Sequence, residues 1–85
     1  MYSLTVGCLA YLDSFYGLVP CRVLSIVGKS GMANTGQHIT VRLTASRQAY
    51  KRGETIESNA LHVVPRRAVC VRCGQYRIRG YNVQP

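Results

Sequence analysis

From Tyr2 to Leu12 the chain alternates. Tyr2, Leu4, Val6, Cys8, Ala10 and Leu12 fall on one side of an extended backbone, and Ser3, Thr5, Gly7, Leu9 and Tyr11 on the other. A period of two marks a strand with one buried face. Asp13-Ser14-Phe15-Tyr16-Gly17 reads as a turn or short loop, and residues 18–27 as a second strand. Pro20 has no N–H for a ladder, which confines it to an edge, an end or a bulge. Residues 28–37 hold three glycines and few large apolar groups, predicting a flexible loop or wide hairpin.

The clearest alternation runs from His38 to Ala45, with Ile39, Val41, Leu43 and Ala45 on one side and Thr40, Arg42 and Thr44 on the other. Residues 46–53 suit a loop or one helical turn ended by Gly53. Glu54 to Glu57 suits a short strand, and residues 58–64 a loop entering a strand or a 3₁₀ turn. Pro65 forces extended geometry on Val64. Residues 68–72 and 75–81 can pair as a terminal hairpin around Cys73-Gly74. No helical period persists over ten residues, and no internal repeat is visible.

Short strands separated by turns every 8–12 residues or so predict an all-β fold, a small five- or six-stranded barrel whose closure removes exposed edges. With 85 residues, the chain suits one domain with one small core and little room for a deep cavity. The expected organisation is a barrel over residues 1–65, with a basic C-terminal hairpin or tail over 66–85 packed on it. Apolar residues make up 47%, which disfavours long disorder. No run of about 18 uncharged apolar residues exists, so no transmembrane helix, and no membrane partner, is expected.

Residues 11–27 carry a resemblance. An aromatic-bearing loop leads into Cys21-Arg22-Val23-Leu24-Ser25-Ile26, which is similar to the opening hairpin of SH3-like barrels of the Tudor/KOW type. Leu61-His62-Val63-Val64-Pro65 is similar to the last turn and strand of such barrels. The chain also resembles small bacteriophage proteins. The resemblance implies a scaffold with many roles, and so no function by itself. It also implies that Tyr11, Phe15, Tyr16 and Tyr50 could line an aromatic cage for a methylated cation. The chain's own positive charge opposes such a ligand.

That charge changes the picture most. Eleven Lys+Arg stand against three Asp+Glu, a net charge of +8, and only Lys29 and Lys51 are lysines. Guanidinium forks suit phosphate and carboxylate. Residues 66–85 carry five Arg and no acid. Arg47-Gln48-Ala49-Tyr50-Lys51-Arg52 packs three cations around one aromatic, Arg66 and Arg67 are adjacent, and residues 72–81 interleave Arg with Tyr. The expected partner is nucleic acid, or else an acidic protein surface. The candidate binding residues are Arg42, Arg47, Lys51, Arg52, Arg66, Arg67, Arg77 and Arg79, with Tyr76 and Tyr81 placed to stack on unpaired bases. A plain solvated basic face is the competing reading. A homo-oligomer that exchanges an edge or the 66–85 tail is another.

Cys70-Val71-Arg72-Cys73-Gly74 has the spacing of a zinc knuckle, making Cys70 and Cys73 candidate ligands. Two more ligands would have to come from Cys8, Cys21, His38 and His62, and a second closely spaced pair is missing. The alternative is that Cys8 and Cys21 are small core residues and Cys70 and Cys73 free thiols, with no cofactor. No positively charged leader precedes the first apolar stretch, so the expected compartment is a reducing cytosol, that of a bacterial host if the phage resemblance is followed. Gly28-Lys29-Ser30 lacks the first glycine of a P-loop, because Val23 stands there. Neither histidine has an evident carboxylate partner, and no nucleophile has a positioned base. The expected protein is therefore not an enzyme.

Overall fold

The computed structural model describes residues 2–72 and 75–85. Among the described residues ten strands run in order: β1 (Tyr2–Thr5), β2 (Leu9–Ser14), β3 (Gly17–Val27), β4 (Gly31–Met32), β5 (His38–Leu43), β6 (Thr55–Asn59), β7 (Val63–Pro65), β8 (Val69–Arg72), β9 (Gln75–Ile78) and β10 (Tyr81–Gln84). Among the described residues the one helical element is a 3₁₀ turn, Arg66–Ala68. The fold is all-β, as the alternation predicts.

The largest sheet has five strands in the order β6-β5-β3-β2-β7, antiparallel at every pairing. Its inner face carries Ala10 and Leu12 from β2, Val19, Cys21 and Val23 from β3, and Ile39, Val41 and Leu43 from β5, all buried. The register aligns them in rows, so Cys21 lies between Ala10 and Leu43, and Val23 opposite Val41. A bulge between Val23 and Ser25 restarts the alternation, turning Ile26 inward and leaving Leu24 exposed. The β6 and β7 edges are not hydrogen-bonded to each other, so the sheets do not close into a barrel.

The expected strand from Tyr2 to Leu12 is two strands. Gly7 takes φ +89°, a conformation L side chains avoid, and the chain turns between Thr5 and Leu9. The turn is anchored where Gly7 donates to the Val23 carbonyl and Val23 to the Cys8 carbonyl. As a result β1 joins a different sheet, ordered β1-β10-β4. β10 is its central strand, parallel to β1 with Leu4 opposite Val83 and antiparallel to β4. Residues 66–85 are therefore not one appended tail. β8 and β9 form a separate hairpin, while β10 is built into the core through Tyr81 and Val83.

The glycine-rich stretch 28–37 is more ordered than its composition predicts. Buried Gln37 holds it from within: its amide nitrogen donates to the Lys29 carbonyl at 2.7 Å, and its carbonyl oxygen accepts from the Asn34 N–H at 3.1 Å. Both polar ends of the buried amide are thus satisfied. The radius of gyration, 11.9 Å, matches the scaling expected for a globular chain of this length.

Candidate nucleic-acid interface

The five-stranded sheet's outer face is built by the same alternation that fills the core. With Ala10, Leu12, Cys21, Val23, Val41 and Leu43 inward, Leu9, Tyr11, Arg22 and Arg42 must point outward. Register places Leu9, Arg22, Arg42 and Thr55 in one row across β2, β3, β5 and β6. Two arginines therefore stand directly opposite each other on an exposed surface. Arg22 is steadied by donating from Nη1 to the Gly7 carbonyl at 2.7 Å. Like charges in this position are destabilising.

Beside Leu9 lies an open groove of about 800 Å³, lined by Tyr2, Ser3, Thr5, Cys8, Leu9, Pro65, Arg66 and Arg67. The Arg66 guanidinium sits over the Tyr11 ring, 5.2 Å from its centroid. This cation–π contact holds a charge against the sheet without a carboxylate. Arg66 Nε is buried with no hydrogen-bond partner. Arg79 donates to the Tyr2 hydroxyl at 3.2 Å, bringing a further cation to that wall. Cys70 first, and then Tyr2, hold the Arg79 guanidinium above its ordinary pKa.

The remaining cations of the predicted set lie elsewhere. Arg47, Lys51 and Arg52 occupy the loop after β5, at the opposite end of the β2–β3 hairpin from the groove. That loop is fastened by Thr44 N–H to the Pro20 carbonyl, by the Arg47–Tyr50 bridge and by Gly53 N–H to the Leu43 carbonyl. Its Tyr50 ring meets Tyr16 at 6.4 Å between centroids, and Tyr16 meets Phe15 at 5.4 Å. From Leu9 to Ser14 the strand makes five residue-to-residue steps, about 17 Å. Arg77 is exposed on β9 opposite Cys70. Among the described residues, no Asp or Glu side chain forms an ion pair with a Lys or Arg. Asp13 accepts from Tyr76, and Glu54 from the Lys51 backbone.

The expected stacking residues separate. Tyr76 is 42% exposed, with its hydroxyl 3.5 Å from an Asp13 carboxylate oxygen. Tyr81 is only 5% exposed, and its hydroxyl donates to the carbonyls of Ala60 and Val63. Burial pushes that hydroxyl up to about 12. Tyr81 is therefore a core residue with a satisfied polar tip, which corrects the expectation that it stacks on a base. Arg22, absent from the predicted set, is brought beside Arg42 by strand register. The sequence signal was present in the outward positions of two alternating strands, but their register was not.

Cys73 lies outside the described residues, so the proposed Cys70–Cys73 pair does too. Among the described residues no group of three or more His, Cys, Asp or Glu side chains is placed to hold a metal ion. Cys8, Cys21 and Cys70 are free thiols. Burial pushes the Cys21 thiol up to about 12, with Arg66 pulling it down and Cys8 adding to the rise. Such a thiol is a small core hydrophobe and a poor nucleophile. Among the described residues no helix is long and apolar enough to cross a membrane. Compared with known protein families, curated proteins and solved structures, the chain matches none.

Proposed function

We propose that this chain is a small, non-enzymatic β module that binds nucleic acid through arginines on one side of its five-stranded sheet. The observation that carries this reading is the juxtaposition of Arg22 and Arg42 on an exposed row that ends at the Arg66–Arg67 groove, with no carboxylate among the described residues paired to any of them. Clustered guanidinium groups cost the free protein self-repulsion, which a polyanion relieves. Phosphate contacts of this kind give affinity and strong salt dependence but no sequence readout. The meander β2-β3-β5-β6, with β7 returning to pair with β2, supports an SH3-like reading of the scaffold even though its edges stay open.

The test is fluorescence anisotropy of the whole chain on random-sequence DNA and RNA, from about 50 to about 200 mM salt. Four phosphate contacts predict a log–log slope of about −4 on duplex DNA and about −3 on single strands. Absence of binding to either polymer at about 50 mM salt overturns the proposal. So does a nuclease-resistant complex with an acidic protein in place of nucleic acid.

A further inference from the structure

We propose that the tip of the β2–β3 hairpin, Phe15 and Tyr16 with Tyr50 behind them, is a stacking site for the unpaired bases of a single-stranded nucleic acid. This rests on the nucleic-acid reading above and narrows its substrate class.

The turn is unusual in what it displays. Ser14 pairs with Gly17, leaving Phe15 and Tyr16 as the two central residues. Short hairpin turns normally place Gly, Asn or Asp there. Here Gly17 takes the left-handed conformation, φ +101°, so both aromatics keep ordinary backbone angles. The Ser14 hydroxyl stiffens the turn, donating to the Gly17 carbonyl at 2.7 Å and accepting from the Tyr16 N–H at 3.2 Å. The local hydrogen bonds thus fix a platform whose outer ring is 96% exposed.

The three rings are mutually braced. The Phe15 and Tyr16 rings are perpendicular, at an interplanar angle of 90°, and Tyr16 is inclined at 71° to Tyr50. The near-complete exposure of Phe15 leaves its ring open to a flat ligand. The loop that carries Tyr50 also carries Arg47, Lys51 and Arg52. Its one acid, Glu54, accepts from the Lys51 backbone N–H. Cations beside open rings select a ligand that is flat and negatively charged, and repel a methylated cation. A nucleotide with an unstacked base meets both conditions, whereas a duplex hides its base faces. The groove arginines, about 17 Å along the hairpin, would hold the flanking phosphates of the same strand.

The chain contains no tryptophan, so Phe15→Trp makes a single fluorescent reporter at the tip. Its emission is titrated with a single-stranded oligothymidylate and with a duplex of equal length. Phe15→Ala/Tyr16→Ala, which leaves every charge in place, is measured on both polymers by anisotropy. Quenching by the single strand alone is expected. The double variant should lose about 5- to 100-fold in single-strand affinity, change duplex affinity less than about twofold, and keep the salt slope. An unquenched Trp with unchanged single-strand affinity in the double variant overturns the stacking site while leaving the proposed function standing. Failure of the unmodified chain to bind either polymer overturns both. A blue-shifted Trp emission on phosphatidylserine vesicles, with no response to oligothymidylate, overturns the site in favour of a membrane surface.

Discussion

Replacing Arg42 by Gln should make the free protein more stable and the complex weaker. Arg42 and Arg22 are cross-strand partners on a solvated face, and the Arg42 side chain forms no hydrogen bond or ion pair among the described residues. Like unit charges on the order of 7 Å apart in water repel by about 0.6 kcal/mol, within the range measured for cross-strand pairs. For a domain of this size that is a rise of about 2–5 °C in Tm. The gain should vanish near 1 M salt, where the screening length is about 3 Å. Arg22→Gln should gain less, because it also breaks the bond to the Gly7 carbonyl, worth about 0.5–1.5 kcal/mol. The assays are thermal denaturation at low and high salt and nucleic-acid anisotropy across salt. Binding by Arg42→Gln should lose about 0.7–0.9 from the salt slope. A lower Tm at low salt, or a salt-independent gain, refutes the repulsion argument. An unchanged slope removes Arg42 from the interface.

Three further outcomes follow from the fold. Tyr81→Phe leaves the carbonyls of Ala60 and Val63 without that donor and should cost about 1–3 kcal/mol at pH 8 by urea denaturation. The folded-state value of about 12 lies above the ordinary 10.0, so the native state holds the proton more tightly. That stability is complete below pH 10 and is lost as pH rises toward 12, so the gap between Tyr81→Phe and the unmodified chain should narrow in this window. Gly17→Ala places a Cβ in open space but at φ +101°, and should destabilise by about 1–2 kcal/mol; a neutral result would show that the turn relaxes. Leu4→Ala removes a fully buried side chain facing Val83's strand and should cost about 2–5 kcal/mol, read as a lower urea midpoint.

Periodicity carried most of the fold. Ile39, Val41 and Leu43 alternate with polar partners and form β5, and the expected second strand over residues 18–27 forms as β3. The terminal hairpin also forms, as β8 and β9. What alternation could not show is where an apparently continuous strand changes sheets. Tyr2 to Leu12 keeps its period across Gly7, and only the positive φ there divides β1 from β2. The arginines before Tyr81 point to a binding surface, but its burial comes from Tyr81-Asn82-Val83 alternating inward and outward in a strand between two distant partners. The interface was legible as a charge excess but not as an arrangement. Arg22 and Arg42 are twenty positions apart and meet only through register, and Tyr50 reaches Tyr16 through a loop closure that no local pattern encodes.

The pairing of Tyr2 with Tyr81 has a consequence for synthesis. Leu4 lies opposite Val83, so a growing polypeptide carries an unmatched β1 until residues 81–84 have been translated. Pairings this remote are entropically late. The meander can assemble earlier from neighbouring segments, whereas the small sheet waits for residues 81–84. A translation product halted before them would keep Leu4 and the side of β4 exposed, offering a chaperone or protease a direct mark that β10 has not yet joined.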